Sequence, residues 1–263
     1  MEAAIGIGDQ LMASGLARGA ADRGKRIAFG DGHRILWDKN SPEIFRKNKN
    51  IATPGSERDK DIEWIPFYKG HRIYNRQGSN RWIWNMEFKA IPGELFFSQE
   101  EINFASRIRP GFVLIEPNVP WWKTVAFNKD WGKAKYQAVA DALRNRGHRV
   151  AQFSFGRDRL SGVEVIYAGD FRSAVAALAR AKFAVLPEGG LHHGAAAVGV
   201  RAAVLFGGFI PPAVTGYDTH INLTGGAEAC GSIHECKHCR AALNEISVDH
   251  VLDACNNLIK GES

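Results

Sequence analysis

The sequence predicts an α/β protein built from two domains whose parallel sheets face a central cleft. Three observations lead there. From residue 111 onward, short apolar runs alternate with amphipathic helical stretches. A similar apolar run, turn and helix open the chain, and a long irregular segment lies between the two regions. With 263 residues and 45% apolar content, the chain can bury a core large enough for one big domain or two small ones.

Taken in order, Ala3–Ile7 reads as a strand and Gly8-Asp9 as the turn after it. Leu11, Met12, Gly15, Leu16 and Ala20 recur at helical spacing, Gly24 closes the helix, and Arg26–Gly30 begins a second strand. That order is a β-α-β unit. Residues 37–108 are rich in Asn, Lys, Arg and Trp and lack helical periodicity. Within them Ile62–Tyr68, Arg81–Met86 and Glu94–Phe97 read as short strands between long loops. Beyond Pro110, strands are expected at Phe112–Glu116, His148–Phe153, Val163–Ile166, Phe183–Leu186 and Ala202–Phe206. Helices are expected at Lys133–Arg146, Phe171–Ala181, His192–Val198 and Val248–Ile259. The division falls between 1–108, an α/β domain with an irregular insert, and 109–263, a second α/β domain. Ligands of such sheets bind outside the carboxyl ends of the strands, so the loops after Ile7, Glu116 and Leu186 are the places to look.

The formal charge is +6, shared between both halves with no basic tail. Such an excess suits an anionic ligand and suits ordinary solubility equally. No apolar run is long enough for a membrane span. The opening residues lack the basic-then-apolar order of an export signal, so a cytoplasmic protein is expected.

Gly6-Ile7-Gly8-Asp9 combines glycines, which admit a close backbone approach, with a carboxylate beside a helix start. Asp9 there either caps its helix or serves a site. The pattern lacks the third glycine of a dinucleotide fingerprint and the lysine of a phosphate loop. A second segment, Pro187–Ala197, runs from a strand through Glu188, Gly189, Gly190 and Leu191 into a small-residue helix carrying His192 and His193. The N–H groups of such a helix start suit a diphosphate, and Glu188 suits sugar or ribose hydroxyls. The histidines either face the ligand or cap the helix.

These two segments, with Val204-Leu205-Phe206-Gly207, resemble glycosyltransferase family 9, whose best-known members are the ADP-heptose:lipopolysaccharide heptosyltransferases. The resemblance covers about the first 35 residues and nearly all of 111–225, and fails between them. It implies a GT-B fold of two Rossmann-like domains, 1–108 on the acceptor side and 109–263 binding the nucleotide sugar, with the active site between them. It further implies an inverting, metal-independent glycosyl transfer from a nucleotide sugar. Asp9 falls on the family's catalytic base, Glu188 on its donor-binding aspartate and His193 on its motif histidine. Lys129, in Asn128-Lys129-Asp130-Trp131, falls on a lysine that contacts donor phosphate. Donor contacts are thus expected from Gly8, Lys129, Glu188, Gly189, Gly190, Leu191, His192 and His193. The acceptor is expected to be anionic, either a lipopolysaccharide precursor or a modified base in DNA. The competing reading is a GT-B scaffold that binds nucleotides or nucleic acid without turnover.

Two features stand outside that resemblance. Cys230, Cys236 and Cys239, with His234 and His238 interleaved and Cys255 further on, contain one Cys-x2-Cys pair, and Cys230 with Cys255 or a histidine could complete four ligands. They form either a structural zinc site or a set of reduced thiols that pack a loop and a helix. Trp64, Phe67, Tyr68, Tyr74, Trp82, Trp84 and Phe88, interleaved with Lys69, His71, Arg72, Arg76 and Arg81, suit an acceptor that stacks and carries phosphate. The alternation in Arg81–Met86 fits a half-buried strand as well. Trp121-Trp122-Lys123 is a second aromatic pair, near the expected hinge.

Overall fold

The computed structural model describes residues 5–261. Its C-terminal half is a six-stranded, wholly parallel sheet. The strands are β6 (Phe112–Ile115), β7 (Val150–Phe153), β8 (Glu164–Ile166), β9 (Ala181–Pro187), β10 (Ala202–Leu205) and β11 (Ile221–Leu223), in the order β11-β10-β9-β6-β7-β8. β6 and β9 are therefore neighbours between which the winding reverses, and the crevice at their carboxyl ends is where such sheets bind ligands. Phe112–Ile115, Val150–Phe153 and Ala202–Leu205 are buried at every position, as strands covered on both faces must be.

One face is covered by α5 (Lys133–Asn145) and α10 (Val248–Lys260), whose Tyr136, Val139, Leu143, Val251, Cys255 and Leu258 form one core with the sheet. On the other, α6 (Phe171–Leu178) and α7 (Gly190–Ala197) pack Ala174, Leu178 and Ala195 against Leu114, Leu186 and Val204. Two further helices of this half lie outside the sequence expectations. α9 (Lys237–Glu245) contributes Cys239 and Leu243 to these cores, and α8 (Pro212–Thr215) precedes β11.

The N-terminal half keeps the α/β class with a different sheet. Ala3 and Ala4 of the expected first strand lie outside the described residues. Ile5 and Gly6 carry no strand pairing, because the backbone of Ile5 is satisfied by side chains. Its N–H donates to Asp38 Oδ2 at 2.6 Å, and its carbonyl accepts from Asn40 Nδ2 at 2.7 Å. Helix α1 (Ile7–Ser14) then begins one residue before the turn expected at Gly8-Asp9 and takes that turn into its first turn, and α2 (Leu16–Asp22) follows after Gly15. β1 (Arg26–Gly30) pairs in parallel with β2 (Ile62–Tyr68), and the sheet continues as an antiparallel meander through β3 (His71–Arg72), β4 (Asn75–Gln77) and β5 (Trp82–Trp84). One short helix, α3 (Ser41–Ile44), sits in the connection between β1 and β2.

Glu94–Phe97, expected as a strand, is unpaired chain pinned across α1. The Glu94 N–H donates to Ser14 Oγ at 2.8 Å, and a side chain at Gly93 would meet the Leu11 carbonyl. It leads into α4 (Gln99–Ser106), capped by reciprocal Ser98 and Glu101 bonds. α4 packs on α6 through a fully buried Arg172, which donates twice to the Glu101 carboxylate, at 2.6 and 3.0 Å. The N-terminal core also takes in Ala196, Val214 and Tyr217, so the two halves share apolar contacts beneath the crevice.

Candidate functional site

The two motifs predicted from sequence meet. Helices α1 and α7 abut at their first turns, with Gly8 against Gly190. A Cβ on Gly8 would lie 2.9 Å from the Gly190 Cα and 3.0 Å from His193 Cδ2. Asp9 therefore lies in the first turn of α1, near the start of α7. The positive ends of both helix dipoles converge there, which favours anionic groups.

Around α7 the polar groups are closely accounted for. Glu188 follows β9 and is buried. Its Oε2 accepts from Lys129 Nζ, and its Oε1 stands 4.0 Å from His193 Nε2. Lys129 reaches it from the loop after β6, with its ammonium 5.1 Å from the Phe209 ring centre. His192 caps its own helix: the Gly189 N–H donates to Nδ1 at 3.0 Å. Nε2 therefore carries the proton and donates to the Thr215 carbonyl, also at 3.0 Å. His193 turns to the crevice, its Nδ1 2.8 Å from the Tyr217 hydroxyl. Burial lowers the pKa of His192. It lowers that of His193 further, with His192 adding to the effect, and it takes His220 down to about 4. All three are neutral near pH 7.

Glu188, His192 and His193 lie close enough together to suggest a metal site. They do not fit one, because both ring nitrogens of His192 are committed to backbone partners. Gly189, Gly190 and Leu191 form the approach and first turn of α7, where the family resemblance placed donor contacts.

Asp9 has a second set of neighbours that the sequence did not single out. Arg72 Nη1 stands 3.7 Å from its Oδ2, and Tyr74 lies alongside. Lys123 Nζ comes within 3.7 Å of where a Cβ on Gly6 would be. On the same loop Trp121 and Trp122 are exposed, and the Arg157 guanidinium lies 4.8 Å from the Trp121 ring centre.

The cysteines divide. Cys230 Sγ lies 3.3 Å from Cys239 Sγ and 3.8 Å from Cys236 Sγ. The longer spacing matches the roughly 3.8 Å expected between thiolates bound tetrahedrally with metal–sulfur bonds of about 2.3 Å, and all three sulfurs lie within 4.8 Å of one another. Cys255 does not join them. It is buried on α10 in the core on the opposite face of the sheet, so it is corrected from candidate ligand to core residue. His238 is held elsewhere, its Nε2 donating to the Glu228 carbonyl at 2.7 Å.

Residues 98–246, more than half of the chain, match glycosyltransferase family 9 (heptosyltransferase). Among solved structures, the iron-containing dodecameric glycosyltransferase TibC from enterotoxigenic E. coli is similar over 99% of this chain and 75% of its own, with a TM-score of 0.67 and 15% identity. A family 9 glycosyl transferase from Veillonella parvula gives 0.50 at 20% identity, covering 65% of this chain and 54% of that one. The ADP-heptose lipopolysaccharide heptosyltransferase II of E. coli gives 0.47 at 19%, covering 65% and 55%. The chain spans about half the length of the last two. No curated protein sequence matches it.

Proposed function

The chain belongs to glycosyltransferase family 9, and on that premise we propose that it moves a sugar from a nucleotide-sugar donor to an acceptor hydroxyl with inversion. The observation that carries this is the meeting of α1 and α7, which brings Gly8, next to Asp9, against Gly190 and His193, with Glu188 beside His193 and paired to Lys129. Asp9 takes the proton of the attacking hydroxyl. Lys129 and the first turn of α7 stabilise the departing diphosphate. Glu188 holds Lys129 in place and accepts from donor hydroxyls, with neutral His193 beside it. Gly8 and Gly190 let the two walls close on each other and exclude water. An ADP-linked heptose is the first donor to test, given the similarity to ADP-heptose enzymes. The acceptor is anionic, a lipopolysaccharide precursor or a modified DNA base, and it meets the wall that bears Asp9, Arg72 and Lys123. The boundary near residue 108 is a proposal on the same footing; α4 packs with the C-terminal half.

Thermal shift against ADP-, UDP- and GDP-sugars, repeated with Asp9→Asn, tests this reading. A donor should raise the melting point of both proteins, while turnover falls by roughly 10²- to 10⁴-fold in the variant. If no nucleotide sugar shifts the wild type, the reading fails.

The thiols of Cys230, Cys236 and Cys239 fit a structural metal, which we assign as zinc. It would tie the loop before α9 to that helix and take no part in the transfer. Metal analysis of protein purified without chelator should find about one equivalent. Iron in its place would align the site with iron-containing TibC, and a value near zero in folded protein removes the metal.

A further inference from the structure

The carboxylate of Asp9 is held from a direction that neither family motif supplies. Strand β3 and the turn between it and β4 bring Arg72 and Tyr74 beneath it. Arg72 Nη1 lies 3.7 Å from Asp9 Oδ2 and donates to the Tyr74 hydroxyl at 3.1 Å. The guanidinium also sits 5.2 Å from the Trp82 ring centre. Tyr74 is 2% exposed, and its hydroxyl faces Asp9. Burial first, and the Asp9 charge second, push its phenol well above the ordinary value. It therefore stays protonated and donates at any working pH.

This arrangement is costly as mere packing. A guanidinium that is largely buried has been stripped of water, and its Nε is buried with no partner among the described residues. The meander does not require it, since the β2–β3, β3–β4 and β4–β5 backbone pairings hold these strands together. Polar groups placed at such expense around one carboxylate are characteristic of a working site.

We propose that Arg72 and Tyr74 are the positioning residues of Asp9. The hydroxyl of Tyr74 fixes the carboxylate's orientation, and Arg72 supplies a counter-charge and holds that hydroxyl. This rests on the reading of Asp9 as the base. In that step the acceptor O–H bond breaks and its proton goes to Asp9. The acceptor oxygen forms a bond to the anomeric carbon, and the nucleoside diphosphate leaves with the electron pair of the broken C–O bond. Tyr74, already protonated, does not compete for that proton.

The test follows release of nucleoside diphosphate from a panel of ADP-, UDP- and GDP-sugars, with water as acceptor. Tyr74→Phe, which keeps the ring, should lower kcat about 10- to 100-fold and leave donor KM within about two-fold. Arg72→Lys should retain more activity than Arg72→Gln, and millimolar guanidinium should restore part of the turnover lost in Arg72→Ala. In parallel, the melting-point losses of Tyr74→Phe and Asp9→Asn should be non-additive in the double variant, a readout independent of catalysis. A wild type that turns over while Tyr74→Phe and Arg72→Gln match its kcat overturns the positioning role and leaves Asp9 as base. Additive melting losses also overturn it. A wild type that releases no nucleoside diphosphate from any donor overturns the base and its positioning residues together.

Discussion

Replacing Glu116 with Gln should stabilise the protein at alkaline pH and leave it unchanged in acid. Glu116 follows β6 at the carboxyl end of the crevice and is 2% exposed. Its Oε1 accepts from the Asn118 side-chain amide at 2.6 Å and the Asn118 N–H at 3.2 Å. Its Oε2 is buried without a partner among the described residues. Burial pushes its pKa from 4.5 up to about 7, against the opposing pull of the Asn118 hydrogen bonds. A carboxyl raised in this way binds its proton more tightly in the folded state than in the unfolded chain. Stability therefore falls as pH rises from about 4.5 to about 7, and the full cost is present above that window.

At 1.36 kcal/mol for each pH unit, that displacement is worth about 3 kcal/mol, or on the order of 10 °C of melting temperature for a chain of this size. Gln keeps a carbonyl for Asn118, cannot ionise, and brings an N–H toward a region where the Tyr136 hydroxyl also lacks a partner. The assay is a melting series from pH 4 to 9 at constant ionic strength. The variant and wild type should coincide near pH 4 and diverge through pH 5–7, with the variant higher by a constant amount above pH 7.5. A variant that melts lower than wild type by the same margin at every pH would refute the reasoning, because Glu116 would then be favoured by its hydrogen bonds and not penalised by burial.

Gly8→Ala sets two effects against each other. Helix propensity favours Ala by about 1 kcal/mol, but the new Cβ would meet the Gly190 backbone at 2.9 Å. Overpacking of this kind costs about 1–3 kcal/mol, so a lower melting point and weaker donor binding by calorimetry are expected. Asn128→Ala removes a fully buried amide that donates to the Ser232 and His234 carbonyls and accepts from the Cys236 N–H, at 3.2, 2.8 and 2.9 Å. Leaving those backbone groups unmet should cost about 3 kcal/mol, and the cysteines should react several-fold faster with a thiol reagent.

The C-terminal sheet was legible because its strands are uninterrupted apolar runs such as Phe112–Ile115 and Ala202–Leu205, separated by helices with one apolar face. The opening run looked the same, yet the polar groups that decide its fate belong to Asp38 and Asn40, more than thirty residues away. Helix α4 carried a local sign in Ser98 and Glu101, a capping box that the reading passed over. α9 was obscured because its residues were weighed as metal ligands. In the site, Asp9, Lys129, Glu188 and His193 stood in recognisable patterns. Arg72 and Tyr74 stood in a basic, aromatic stretch where any of a dozen side chains had equal claim. Only the β3–β4 pairing, Arg72 opposite Asn75, singles them out.

That meander is anchored where the cysteines are. The Trp82 N–H donates to the Gly231 carbonyl at 2.8 Å, and the Ile233 N–H donates to the Asn80 carbonyl at 3.3 Å. Gly231 has φ +67, and a Cβ there would lie 2.2 Å from the Trp82 carbonyl oxygen, so only glycine permits the approach. On its other side the same loop is held by Asn128, the residue before Lys129. A single loop, fastened by Cys230, Cys236 and Cys239, thus braces the Arg72 and Trp82 stack under Asp9 and the turn that presents Lys129 to Glu188. Loosening the sulfur cluster should therefore disturb both walls of the crevice at once. For the transfer proposed at this site, the effect on turnover would come through the placement of Asp9 and Lys129.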